Sequence, residues 1–78
     1  MLTEKQVYNR LNKVYETEFG DRDEDEWYGD DNPHIWRFYR PSEKATYKMV
    51  LDECYRQIAL FEKKDTETEY RKIGNYTW

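Results

Sequence analysis

Residues 43–64 decide the predicted fold, because they form the longest amphipathic stretch of the chain: EKATYKMVLDECYRQIALFEKK. Apolar side chains recur here at helical spacing, at Tyr47, Val50, Leu51, Cys54, Ile58 and Phe61. This spacing places them on one side of a helix. Asp52 precedes Arg56 by four residues, which is the favoured polarity for an ion pair along a helix. The stretch therefore predicts a helix from about residue 43 to 64.

A second amphipathic helix is predicted at residues 3–19. Thr3 and Gln6 form a Thr-x-x-Gln capping box, in which each side chain binds a free backbone N–H group of the first turn. Gly20 is a typical residue at the C-terminal end of a helix. Between them, apolar residues recur at helical spacing at Val7, Leu11, Val14, Tyr15 and Phe19. The predicted fold is therefore mainly α, with two long helices packed together and an acidic loop connecting them.

Residues 34–40, HIWRFYR, are rich in strand-forming residues and are predicted to form a short strand-like segment. Alternation places Trp36 and Phe38 on one face and Ile35 and Tyr39 on the other. The tail, residues 65–78, is compatible with a short third helix or with a strand. The strand gives an alternative α+β fold, in which residues 34–40 and 70–78 form a small antiparallel pair.

The length of 78 residues indicates a single domain spanning residues 1–78, with room for only a small core. Eight Tyr and three Trp residues supply large apolar side chains where aliphatic residues are few, and homodimerisation is one way to bury more area. Trp78, with Tyr76 nearby, is compatible with a docking peptide or with a plug that folds back against this core, and the plug is favoured. Cys54 is the single cysteine, and no signal peptide or membrane-spanning apolar run is visible. These features predict a cytoplasmic protein that does not enter a membrane.

The negative charge is concentrated in residues 21–31, within a predicted loop punctuated by Gly20, Gly29 and Pro33. Seven acidic residues and one Arg give this segment a local charge of −6, so a chain of net charge −4 carries +2 elsewhere. We expect recognition to originate here, and we predict another protein with a basic surface as the partner. The predicted partner-binding residues are Asp21, Asp23, Glu24, Asp25, Glu26, Trp27, Tyr28, Asp30, Asp31 and Trp36.

Mimicry of nucleic-acid phosphates is one form that this recognition could take. An extended chain advances about 3.3 Å per residue, which is close to the roughly 3.4 Å between phosphates along one strand of duplex DNA. Seven acids in eleven residues could therefore imitate phosphate density and compete with DNA for a basic groove.

Two alternative functions also arise from this region. The first is nucleic-acid binding by residues 34–40, where Arg37 and Arg40 lie among aromatic residues. The adjacent acidic loop would repel phosphate, so direct nucleic-acid binding is the less favoured interpretation. The second is a cation-responsive module, because Asp21, Asp23 and Asp25 are similar to the opening of a calcium loop. That loop requires glycine and a bidentate glutamate where this chain has Glu26 and Asn32.

Catalysis is not indicated by the sequence. Cys54 falls within the apolar stripe of the predicted helix, which favours a buried hydrophobic role over a reactive thiolate. His34 is the single histidine, and the three glycines are too far apart for a phosphate-binding loop. We therefore predict a non-enzymatic protein without a cofactor or a bound metal. In its compact, acidic, Tyr-rich and Lys/Glu-rich composition the chain resembles small early proteins of bacteriophages, which implies an inhibitor or adaptor that binds a host macromolecule.

Overall fold

A computed structural model describes residues 2–32 and 34–78; Pro33, one of the predicted loop residues, lies outside them. In the described residues one helix precedes five strands: α1 (Glu4–Phe19), β1 (Glu26–Gly29), β2 (Ile35–Arg40), β3 (Ala45–Asp52), β4 (Gln57–Lys64) and β5 (Arg71–Thr77). The strands form one antiparallel sheet in the order β1-β2-β3-β4-β5, so each strand pairs with the next along the chain. Only short turns are needed to connect such neighbours.

The predicted first helix is confirmed. Thr3 is the N-cap of α1, and both bonds of the capping box are present: Thr3 N–H donates to the Gln6 Oε1 atom (2.8 Å), and Gln6 N–H donates to the Thr3 Oγ1 atom (3.2 Å). Gly20 ends the helix with a φ of 80°, a value that favours glycine. Val7, Leu11 and Tyr15 are the buried side chains of its apolar stripe.

The predicted second helix is wrong, and with it the mainly α fold of two packed helices. Residues 43–64 form the hairpin of β3 and β4, so the protein is mainly an antiparallel sheet with one helix. In β3 burial alternates strictly, and the buried positions are Ala45, Tyr47, Met49 and Leu51. This period of two is typical of a strand with one face against a core.

A turn at residues 53–56 interrupts the apolar run in the middle of the predicted helix. The carboxylate of Asp52 accepts hydrogen bonds from the backbone N–H groups of Cys54 (3.0 Å) and Tyr55 (3.2 Å). Arg56 then adopts a φ of 50°, which reverses the chain. The predicted ion pair between Asp52 and Arg56 is therefore replaced by a turn, and Cys54 is exposed.

The alternative α+β pairing is also wrong. Residues 35–40 and 71–77 are both strands, but β3 and β4 lie between them, and β5 pairs with β4. The predicted loop at residues 20–33 contains the edge strand β1, paired with β2. The alternative of a third helix in the tail is likewise replaced by β5.

Helix α1 packs on one face of the sheet and forms the core with it. Phe38 is fully buried at the centre of an aromatic cluster, with ring centroids 4.7 Å from Tyr15 and 4.8 Å from Trp27. As the sequence predicted, Trp36 and Phe38 share one face of β2, and both belong to or contact this core. The opposite face, which we call the open face, has no helix over it in residues 2–32 and 34–78.

Candidate functional site

The acidic segment is attached to the core through Arg22. Its guanidinium carbon lies 4.1 Å from the ring centroid of Trp27 and 4.6 Å from that of Tyr15, in cation–π geometry. The Arg22 carbonyl also accepts a hydrogen bond from the Asp25 backbone N–H (2.9 Å), which closes a turn before β1. The one basic residue of the segment therefore fixes its first half against the protein.

Asp25 is the buried carboxylate of the segment. Its side chain is only 5% exposed, and one oxygen lies 3.6 Å from the Nε atom of Arg40, an ion pair too long for a good hydrogen bond. Burial raises the pKa of Asp25 above its ordinary value, and the positive charge of Arg40 offsets part of this rise. Asp25 therefore serves the packing of the segment and is not available to a partner.

Asp30 holds the other end of β1. Its carboxylate forms a 2.5 Å ion pair with Arg37 on the neighbouring strand, and its backbone N–H donates to the Ile35 carbonyl (3.0 Å). The second carboxylate oxygen accepts a hydrogen bond from the Asp31 backbone N–H (2.7 Å). Two arginines of β2, Arg40 and Arg37, thus pair with carboxylates at the two ends of the edge strand β1.

The other five acidic side chains of the segment are exposed. Among the described residues, none of them forms an ion pair with Lys or Arg. We call this set the acidic rim, and its members are Asp21, Asp23, Glu24, Glu26 and Asp31. The rim follows the β1 edge of the sheet and is attached to the core at both ends.

The three predicted aromatic contact residues occupy different environments. Trp27 and Trp36 are half-buried and pack against the core on the helix side of the sheet. The ring of Trp36 lies 5.7 Å from that of Tyr8 on α1. Tyr28 points to the open face and is 45% exposed. The structure therefore brings Tyr28 alone among these aromatic residues to the surface beside the rim.

The aromatic-basic segment 34–40 is divided between the two faces. Arg40 is on the helix side, with Trp36 and Phe38, whereas Arg37 and Tyr39 are on the open face. Its basic and aromatic residues therefore do not form one continuous strip. The open face carries additional basic and aromatic residues from β3 to β5, and the predicted helix at residues 43–64 concealed those of β3 and β4.

In the described ranges, no group of three or more His, Cys, Asp and Glu side chains could hold a metal ion. The exposed Cys54 thiol lies in a turn that borders a cleft of about 510 Å³, which Arg10 and Trp78 also line. Trp78 folds back so that the Arg10 guanidinium lies 4.5 Å from its ring centroid, but it remains 37% exposed outside the core.

Comparison with known proteins identifies no relative: no family model, curated protein or solved structure matches the chain. Within residues 2–32 and 34–78, the helix is too short and too polar to cross a membrane.

Proposed function

We propose that this chain is a non-enzymatic protein-binding module, an inhibitor or adaptor that contacts a basic protein surface through its acidic rim. The observation that carries the proposal is the combination of five exposed carboxylates with a backbone fixed at both ends. Arg40 pairs with Asp25 before β1, and Arg37 pairs with Asp30 after it. These internal pairs leave the exposed carboxylates of the rim available to a partner.

Attachment of the rim to the core supports a role in recognition because ordered groups lose less entropy on binding. A mobile acidic loop would have to be ordered by its partner, whereas the turn at Asp25 and the strand β1 are already hydrogen bonded. Exposed charges of one sign also accelerate encounter with an oppositely charged surface. Binding should therefore be fast and should weaken with salt.

Mimicry of a regular phosphate ladder is a less favourable form of this proposal. It requires an extended acidic run, but in β1, the extended part of the segment, Glu26 is the one acidic residue. Glu26, the last acid before the gap, and Asp31 after it are five residues apart, which is roughly 17 Å at about 3.3 Å per residue. A basic surface with two separated positive clusters fits this arrangement better than a uniform DNA-binding groove.

The proposed location is the cytoplasm. Cys54 is a free thiol at the surface, and a reducing compartment would keep it reduced. The proposed role as an inhibitor or adaptor rests on the rim.

The test begins with capture of partners from cells that express the chain, followed by purification of the captured protein. Binding of that protein is then titrated with the wild type and with the variant Asp23→Asn, Glu24→Gln, Glu26→Gln and Asp31→Asn at several salt concentrations. We expect the variant to lose about tenfold or more in affinity at low salt, since exposed ion pairs contribute about 0.2–1 kcal/mol each. Its affinity should also depend less on salt.

A matched control removes four exposed carboxylates elsewhere, in the variant Glu4→Gln, Glu16→Gln, Glu43→Gln and Glu69→Gln. Both variants change the net charge by the same amount. Equal losses in the two would show that total charge matters and the rim does not. Unchanged affinity in the rim variant would refute the proposal directly.

A further inference from the structure

The open face of the sheet carries a row of aromatic and basic side chains. Each member of the row is the direct cross-strand partner of the next, one from each of the five strands. The row consists of Tyr28, Arg37, Lys48, Phe61 and Lys72. With strands about 4.8 Å apart, it extends roughly 19 Å across the sheet.

The basic residues of the two faces differ in how they are neutralised. On the helix side, Arg40 pairs with Asp25, and Arg71 forms ion pairs with Glu62 and Glu67. On the open face, Arg37 pairs with Asp30. In the described part of the chain, no carboxylate lies within ion-pair distance of the three other basic residues of this face, which are Lys48, Lys63 and Lys72.

Direct juxtaposition of Arg37 and Lys48 on neighbouring strands is unfavourable, since like charges opposite each other destabilise a sheet. The ammonium group of Lys48 lies instead over aromatic rings, 5.0 Å from the centroid of Phe61 and 4.4 Å from that of Tyr70. Lys63 approaches the same Tyr70 ring at 5.2 Å. These lysines therefore have long, movable side chains beside half-buried rings, and their charges are not satisfied by carboxylates.

We propose that this patch, formed by Lys48, Phe61, Lys63, Tyr70 and Lys72, binds single-stranded nucleic acid. Bases would stack on the rings of Phe61 and Tyr70, while the lysines move from the ring faces to the phosphates. A single strand fits better than a duplex because its bases are free to stack on a flat sheet surface. The patch shares no residue with the acidic rim, and the inference does not depend on the proposed protein-binding role.

The acidic groups around the open face set the direction of the bound strand. The acidic rim and Asp30, which pairs with Arg37, lie at the β1 edge and repel phosphate, and Asp52 lies at the end of β3. Asp65 accepts a hydrogen bond from the hydroxyl of Tyr39 (2.9 Å) beside β2. The favourable region is therefore the half of the face formed by β3, β4 and β5. The bound nucleic acid should run across this half and extend away from β1.

The test is fluorescence anisotropy with a labelled oligothymidylate of about 15 nucleotides, titrated with up to about 100 µM protein at low salt. The wild type should bind, and the variant Lys48→Gln, Lys63→Gln and Lys72→Gln should bind at least tenfold more weakly. The slope of log K against log salt should become shallower by about 2, because each phosphate contact on a single strand contributes about 0.7. No binding by the wild type would overturn the proposal.

A matched control removes three exposed lysines outside the patch, in the variant Lys5→Gln, Lys13→Gln and Lys44→Gln. It has the same net charge as the patch variant, and its affinity should stay within about threefold of the wild type. Equal weakening in both variants would overturn the proposal. Thermal unfolding of each variant shows that it is folded before it is titrated.

Replacement of the rings separates stacking from simple charge attraction. Phe61→Leu and Tyr70→Leu keep apolar side chains and should each weaken binding about tenfold, which is within the range for one stacked base. Unchanged binding in both, or equal affinity for poly-glutamate, would overturn the nucleic-acid proposal in favour of an acidic protein partner. Oligonucleotide binding should be unaffected or stronger in the rim variant, so failure here is distinguishable from failure of the protein-binding proposal.

Discussion

The two faces of one sheet show how differently similar residues are used in this protein. Toward α1 the central side chains are aromatic or aliphatic and buried, and the basic residues Arg40 and Arg71 at their margin are paired with carboxylates. On the open face, rings are half-buried and the lysines lie over them without carboxylate partners. The covered face therefore supplies stability, and the open face is available for binding.

The largest expected effect is a difference in stability between two phenylalanine truncations, one on each face of the sheet. Phe38 is fully buried among four aromatic rings, so Phe38→Ala should lower the free energy of unfolding by about 3–5 kcal/mol. Phe61 is half-buried, so Phe61→Ala should lower it by only about 1 kcal/mol. Chemical denaturation of both variants measures this difference.

Similar losses in the two variants would mean that the open face is also a structural core. Because Phe38→Ala could unfold a domain of this size, Phe38→Leu serves as a milder variant on the same scale. It should remain folded and still lose more stability than Phe61→Leu.

The next effect concerns the attachment of the acidic rim to the covered face. Arg40→Met keeps an apolar side chain but leaves the buried carboxylate of Asp25 without its positive neighbour. We expect a loss of about 1–3 kcal/mol at neutral pH and a further rise in the pKa of Asp25, which burial already raises. Denaturation across a pH series measures the first, and carboxyl titration by NMR the second.

The sign of the pH dependence follows from that raised pKa. The folded state of the variant binds a proton on Asp25 more tightly than the unfolded state, whose carboxyl has its ordinary pKa. The penalty is therefore full at neutral pH and diminishes as the pH falls through the folded-state pKa. In the double variant Asp25→Asn, Arg40→Met, the charge is absent and this pH dependence should disappear. If the double variant loses as much stability as Arg40→Met at every pH, the loss would come from the missing packing of Arg40 and not from the unpaired charge of Asp25.

Helix α1 could be predicted from the sequence because everything that defines it is local. The capping box joins Thr3 to Gln6, and the terminal glycine immediately follows the last helical residue. The apolar residues of α1 follow helical spacing and do not also alternate with the period of two that is typical of a strand. Local rules were sufficient for this element, and the predicted and observed bounds agree within one residue.

The hairpin of β3 and β4 could not be distinguished from a helix by apolar spacing alone. Tyr47, Leu51 and Ile58 satisfy helical spacing and also lie on one face of two strands. The informative signal was the strict alternation from Ala45 to Leu51, supported by strand-forming residues between the buried positions. The turn was inconspicuous because it contains neither glycine nor proline and is formed by Asp52 and Arg56.

For the candidate site, the sequence predicted the location of the acidic charge but not which carboxylates are exposed and which are paired internally. Which carboxylates are internal depends on the pairing of β1 with β2, because that register brings Arg37 beside Asp30. The open-face patch depends on the register of three strands, two of which were assigned to a helix. Surfaces built across strands require pairing information that a local pattern does not contain.

The smallest expected effect concerns the two turns that set this register and therefore the composition of both faces. Lys44 and Arg56 have φ values of 51° and 50°, in the left-handed region where a side chain is strained. Their backbone groups remain in place in a glycine variant: the Lys44 carbonyl accepts from Asp65 N–H (3.0 Å), and the Arg56 carbonyl accepts from Trp78 N–H (3.1 Å).

Lys44→Gly and Arg56→Gly should each raise the free energy of unfolding by up to about 1 kcal/mol, since relief of strain exceeds the added freedom of the unfolded chain. Lys44→Ala and Arg56→Ala remove the same side chains but keep the strain, so they should give no gain. If glycine and alanine had equal effects in chemical denaturation, backbone strain at these turns would be negligible and the register would be set by cross-strand packing alone.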